Sequence, residues 1–227
     1  MVRERSRRVT PPMADAEQTP SRTPVALVLG SGGARGLAHI GVIRALEEDG
    51  RYEIRSITGS SIGALVGGLH AAGRLDEYAE WVSTLTRGDV WRLLDFSFTR
   101  KGLFEGERVM KHLADLVGDR AVEDLAIPFT AVAADIDRRQ EIWLNRGPLF
   151  DAIRASIAIP GLFTPVERDG RLLVDGGLLS PLPLAPAQHS GAELTVAVSL
   201  NGAADEAAAP VGDPPEPAAP RPTGPLQ

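Results

Sequence analysis

Apolar and polar positions follow two distinct periods along this chain. Val25-Ala26-Leu27-Val28-Leu29 is a continuous apolar run closed by glycines. Such a run predicts a buried, parallel strand. From Leu37 to Glu48 the period lengthens, with Ile40, Ile43 and Leu46 at i, i+3 and i+6, which predicts a helix. A second strand is predicted near 54–58, where Tyr52, Ile54 and Ile57 are the positions expected to be buried. The small apolar run Ile62 to Leu69 predicts a buried helix after it. A chain that opens β-α-β-α points to an α/β sheet covered by helices. Amphipathic patterns over 75–86 and 106–118 predict two further helices. Phe129 to Asp135 predicts a strand, with Glu141 to Leu144 paired to it, and Leu149 to Ile157 a short helix. Thr164 to Glu167 and Arg171 to Val174 flank Arg168-Asp169-Gly170, a hairpin signal. Leu194 to Leu200 reads as a last buried strand.

The ends break this pattern. Residues 1–23 are polar, with Arg3, Arg5, Arg7 and Arg8 close together. Only Val9-Thr10-Pro11-Pro12 follows, so no export signal is expected there. Residues 202–227 are dominated by Ala and Pro, a composition that cannot build a core. The expected organisation is a disordered basic arm over 1–23, one folded domain over 24–201 and a disordered tail over 202–227.

Composition narrows the function classes. The 227 residues suffice for one domain with a sizeable core. A net charge of −6 gives no reason to expect nucleic-acid binding. The chain has no cysteine, which excludes disulfides and thiolate metal sites. No apolar run approaches the length of a membrane span, and a cytoplasmic protein is expected.

The chemistry concentrates where the second strand runs into its helix. Gly59-Ser60-Ser61-Ile62-Gly63 is a G-x-S-x-G sequence at that joint. A serine there sits on a tight, strained turn with its hydroxyl projecting from the sheet, which makes Ser61 the candidate nucleophile. Gly59 and Gly63 let strand and helix approach closely. The competing reading is a glycine-rich turn in which Ser60 or Ser61 caps the helix.

Between the first strand and its helix lies Gly30-Ser31-Gly32-Gly33-Ala34-Arg35-Gly36. Read as G-x-G-x-x-G from Gly30, the sixth position is Arg35, so a dinucleotide fingerprint fails by one residue. No Gly-Lys-Ser/Thr follows, which removes the P-loop. The remaining reading is an oxyanion hole. Consecutive backbone N–H groups at the positive end of a helix would stabilise the oxygen formed when a serine attacks a carbonyl. Each such donor is worth about 2.7–4 kcal/mol in the transition state. Gly32 and Gly33 are the first candidates and Ala34 the next, with Gly30 and Gly36 shaping the loop. Arg35 either caps the turn or meets an anionic head group.

A serine hydroxyl needs a base. Asp175 ends the apolar run Leu172-Leu173-Val174 and precedes Gly176-Gly177, which allow close approach of backbone or ligand. Partial burial would raise its pKa and improve it as a base near neutrality. The alternative is a Ser61-Asp175-His189 triad in hydrolase order. His189 falls at a predicted helix C-terminus, where exposed histidines are common. His39, His70 and His112 sit within helical patterns and read as packing or surface residues.

Taken in order, Gly32-Gly33-Ala34-Arg35-Gly36, Gly59-Ser60-Ser61-Ile62-Gly63 and Asp175-Gly176-Gly177 resemble the motifs of the patatin-like phospholipase family. Arg154 to Phe163 and Lys101-Gly102-Leu103-Phe104-Glu105-Gly106 look like that family as well, and the resemblance spans roughly 24–200. It implies a three-layer α/β/α sandwich with a mixed, mostly parallel central sheet. It further implies a Ser-Asp dyad without histidine: Ser61 as nucleophile, Asp175 as base and the Gly32–Gly36 loop as oxyanion hole. The implied substrates are acyl esters of lipids, with peripheral membrane contact and no metal or organic cofactor. Two other readings stand beside it: a Ser-Asp-His esterase on an α/β-hydrolase fold, and a non-catalytic protein that binds lipid or a partner. Val90 to Phe98, rich in large apolar groups, would either line an acyl pocket, touch a membrane or pack in the core.

Overall fold

The unbroken apolar run at the start of the domain forms an interior strand of a sheet. β1 (Thr23–Leu29) pairs in parallel with β2 (Tyr52–Ser60) on one side and with β7 (Leu194–Val198) on the other. With neighbours on both edges and helices on its faces, Val25 to Leu29 lose all contact with water. The computed structural model describes residues 22–85 and 100–202, and of residues 100–108 the backbone only. The apolar segment Val90–Phe98 lies outside the described residues. So do the basic arm and the Ala/Pro-rich tail, apart from their innermost positions.

β3 (Phe129–Asp135) continues the parallel set beside β2. β4 (Gln140–Leu144), β5 (Val166–Arg168) and β6 (Arg171–Asp175) then run antiparallel to their neighbours. The order is β5-β6-β3-β2-β1-β7, with β4 also pairing β3. The hairpin predicted around Asp169-Gly170 is therefore present as β5–β6. The helices are α1 (Ala38–Asp49), α2 (Ile62–Ala71), α3 (Leu75–Ser83), α4 (Arg100–Val117), α5 (Leu149–Ser156) and the short α6 (Leu184–Ala187).

Helices cover both faces of the sheet, unequally. Alternate side chains of a strand face opposite ways. Leu27 and Leu29 join Ile43 of α1, Leu69 of α2, Tyr78 of α3 and Ile153 of α5 in the main core. Ala26 and Val28 face the other way, against Ala187 of α6. The result is the expected three layers, with the layer built on α6 thin among the described residues.

The sequence reading of the last strand is corrected. Leu194 to Leu200 is not a buried strand: β7 ends at Val198 and is an edge strand, with Val196 and Val198 half-buried and Leu194 42% exposed. Its apolar composition matches an interior strand, but among the described residues it has a sheet neighbour on one side only.

β6 is held in register partly by a buried charge. Asp135, at the end of β3, accepts from the N–H groups of Asp137 and Arg138. It also pairs with the guanidinium groups of Arg138 at 2.9 Å and Arg171 at 3.2 Å. The Arg138 N–H, reinforced by these guanidinium groups, keeps its carboxyl below the usual range. Arg171 opens β6, so this cluster ties the end of β3 to the strand that delivers Asp175. Among the described residues, no helix is long and apolar enough to cross a membrane.

Candidate active site

β2 ends at Ser60 and α2 begins at Ile62, so the strand meets the helix at one residue, Ser61. Its backbone has φ 56° and ψ −126°, a conformation rare outside glycine. Such a residue stores on the order of 1–3 kcal/mol of strain and persists only where its surroundings enforce it. The enforcing contacts are close. A Cβ on Gly63 would stand 2.1 Å from the Leu29 carbonyl oxygen, so only glycine lets α2 settle onto β1. The Ser61 N–H donates to Ser156 Oγ at 3.0 Å, and that hydroxyl in turn donates to the Val132 carbonyl at 2.6 Å.

Ser61 occupies the N-cap position of α2 without capping it: its side chain makes no bond to the helix. Its Oγ donates instead to Asp175 Oδ2 at 2.6 Å, across 114 residues of sequence. Ser61 therefore does not cap α2 through its side chain.

Asp175 closes β6 opposite Ala133, and its own N–H donates to the Ala158 carbonyl. Its second carboxylate oxygen, Oδ1, accepts from the Gly177 N–H at 2.7 Å. The turn that follows is possible because Gly176 has no side chain: a Cβ there would stand 2.0 Å from the Val132 carbonyl oxygen. Asp175 is 5% exposed. Burial pushes its carboxyl above the ordinary value, opposed by the bonds from Ser61 and Gly177.

The glycine loop packs against this pair. A Cβ on Gly177 would stand 2.9 Å from that of Ser31, and one on Gly36 would stand 2.1 Å from Ile62 Cγ1. Gly33 to Leu37 form one turn of 3-10 helix, with Gly33 at φ 55°. N–H groups in a first helical turn have no acceptor within the helix. Gly33 and Ala34 line one cavity together with Ser61, whereas Gly32 sits behind them against Leu200. Arg35 is exposed, and its guanidinium donates to Asn201 Oδ1 at 2.9 Å, tying the loop to the chain beyond β7. The rest of the cavity wall is apolar, including Leu65, Trp81, Met110, Ile159 and Phe163.

The histidines lie elsewhere. His189 lines a different cavity beside Ser56 and Trp143, and its Nδ1 lies 3.3 Å from the Ala185 carbonyl of its own helix. It is not brought to Asp175. His70 faces Glu47, and His112 stacks on Trp81 with ring centroids 4.5 Å apart. His39 is fully buried beneath the glycine loop. Among the described residues, no group of three or more His, Asp or Glu side chains is placed to hold a metal ion.

Ser156 is the residue that the sequence motifs did not single out. It is fully buried, yet polar, on the inner face of α5, three and four residues after the buried Ile153 and Ala152. It falls within the family-like stretch Arg154 to Phe163, and a polar residue at that buried helical position is the signal that could have found it. Ser156→Ala leaves the Ser61 N–H without its acceptor, and a buried unpaired group of this kind costs about 1–3 kcal/mol. Urea unfolding should show that loss, together with slower reaction at Ser61.

A family model for patatin-like phospholipases matches residues 27–187. An uncharacterised NTE family protein of Mycobacterium tuberculosis is 58% identical over 178 residues, covering 78% of this chain and 49% of its own length. Patatin-like phospholipase domain-containing protein 6 of Homo sapiens is 35% identical over 189 residues, covering 80% of this chain and 14% of its own length. The chain thus spans about half the length of its mycobacterial relatives and a smaller share of the animal ones. Among solved structures, VipD from Legionella pneumophila aligns with a TM-score of 0.41 at 15% identity, over 70% of this chain and 46% of its own. On the strength of the model match over 27–187, this chain belongs to the patatin-like phospholipase family.

Proposed function

We propose that this chain is a serine lipid acyl hydrolase working through a Ser61–Asp175 dyad. The observation that carries the proposal is the 2.6 Å bond from Ser61 Oγ to Asp175 Oδ2, at a strained turn that opens on an apolar cavity. Ser61 Oγ attacks the ester carbonyl carbon as its proton passes to Asp175. The resulting oxyanion is held by the amides of the glycine loop, those of Gly33 and Ala34 foremost and Gly32 behind them. Collapse expels the alcohol, which takes the proton from Asp175, and leaves an acyl group on Ser61. Water then attacks that ester, giving a proton to Asp175, and the fatty acid leaves as Ser61 Oγ takes that proton from Asp175. Raising the carboxyl pKa by burial makes Asp175 a stronger base, which is what a dyad without histidine needs. The apolar wall suits the acyl chain of a lipid ester, in the manner of a phospholipase A or lysophospholipase. A substrate of that class brings with it peripheral contact with a lipid surface.

An alkyl fluorophosphonate, which reacts only with an activated serine, tests this directly. The expected adduct is on the peptide carrying Ser61, located by mass spectrometry, and Ser61→Ala stays unlabelled. A folded protein that takes no label, or takes it elsewhere, would exclude hydrolysis at Ser61 and favour a binding role on the same fold.

A further inference from the structure

Among the described residues, the site described so far leaves a buried histidine unused. His39, in the first turn of α1, is fully buried. Its Nε2 lies 2.8 Å from the carbonyl oxygen of Gly30, the residue that opens the glycine loop. A carbonyl can only accept, so Nε2 carries the hydrogen and Nδ1 is the bare nitrogen. Nδ1 has no partner among the described residues. A protonated ring would place an N–H there without an acceptor, and burial accordingly pushes the His39 pKa down. The ring is a neutral donor in a single tautomer.

Gly30 is where the loop is pinned. Its N–H donates to the Val198 carbonyl of β7 at 3.0 Å, and the next N–H, of Ser31, donates to the Pro181 carbonyl at 2.8 Å. A Cβ on Gly63 would stand 2.8 Å from the Gly30 oxygen, so the helix that follows Ser61 packs on the same peptide. The Gly30–Ser31 peptide therefore touches the elbow helix on one side and leads, two residues on, to Gly33 and Ala34 on the other. The Pro181 carbonyl holds the N–H end of this peptide, and the His39 ring holds its carbonyl end.

We propose that His39 is a positioning residue for the oxyanion donors. By holding the Gly30 carbonyl, it helps set the course of the loop that brings Gly33 and Ala34 to the cavity shared with Ser61. This rests on the reading of Ser61 and Asp175 given above, and it predicts a defect in turnover rather than in binding.

The test compares His39→Leu, which removes the donor, with His39→Gln, whose side-chain amide nitrogen reaches the same distance from the backbone. Hydrolysis of a short-chain aryl ester and the fluorophosphonate labelling rate are measured on both, below their melting temperatures. His39→Leu should lose about tenfold or more in kcat and in labelling rate, with KM within about twofold, in keeping with misplaced oxyanion donors. His39→Gln should recover most of that loss. Equal losses in both variants, or no loss in His39→Leu while the wild type labels at Ser61, would overturn the positioning role and leave the dyad standing. A wild type that does not label would overturn both. Imidazole nitrogen chemical shifts of the wild type need no variant: a neutral Nε2–H tautomer is expected, and an Nδ1–H tautomer would overturn the proposal.

Discussion

Ser61→Ala is expected to abolish ester hydrolysis, with a loss in kcat of roughly 10⁴- to 10⁶-fold, the range seen when a serine nucleophile is removed. The protein itself should survive the change. Ser61 Oγ makes no capping bond to α2, and its one hydrogen bond is to Asp175. Alanine keeps the same Cβ at φ 56°, so the strain at the elbow is unchanged. Thermal unfolding should therefore show the variant folded, with a loss of about 1–3 kcal/mol for leaving Asp175 Oδ2 without its donor, while turnover of an aryl ester falls to background. Ser61→Gly extends the prediction: glycine adopts this backbone without penalty, so the glycine variant should be more stable than Ser61→Ala and equally inactive.

Asp175→Asn is the second large effect. An amide cannot take the serine proton; the same change in a Ser-His-Asp triad, where the aspartate acts only through the histidine, lowers kcat by about 10⁴, and a loss at least as large is expected where the carboxylate is itself the base. Here the sign of the stability change differs from the usual loss on altering a buried polar residue. Burial raises the Asp175 carboxyl above its ordinary value. The native state therefore binds that proton more tightly than the unfolded chain, and ionising Asp175 costs stability as pH rises through the native pKa. Asn removes the charge, so the variant should unfold at the same temperature as the wild type or higher at neutral pH, and the difference should shrink in acid. The same shift shapes activity. In the wild type, kcat/KM should rise with pH along one limb centred above the ordinary aspartate value, as the carboxylate becomes free to accept. A stability–activity trade of this kind is expected where a site holds a strained, desolvated group for its chemistry.

Much of this architecture is legible in the order of residues. β1 is readable because burial on both faces demands an unbroken apolar run, and Val25 to Leu29 supply it. The elbow is readable because close packing leaves no room for side chains, so Gly59 and Gly63 had to be glycine on either side of the serine. Asp175 is readable because an acid that ends an apolar strand and precedes two glycines has to be satisfied by something near it.

What escaped depends on contacts distant in sequence. Ser156 supports Ser61 from 95 residues away, and nothing local to either serine announces the bond. β7 reads as an interior strand because composition records apolarity but not sheet position, and the strand order is what places it at an edge among the described residues. His39 looks like one more histidine on a helix until the loop folds back over it and presents the Gly30 carbonyl. His189 shows the converse. Its place after Asp175 in the chain fits a hydrolase triad, but α6 carries it to a separate cavity beside Trp143.

The central claim is that a carboxylate alone, without an imidazole, activates Ser61. Fluorophosphonate labelling rates of three folded proteins test it most directly: wild type, Asp175→Asn and His189→Ala. The dyad predicts that His189→Ala labels within about twofold of the wild type, while Asp175→Asn slows by about three orders of magnitude or more. Normal labelling of Asp175→Asn, or loss of labelling in His189→Ala, would contradict it.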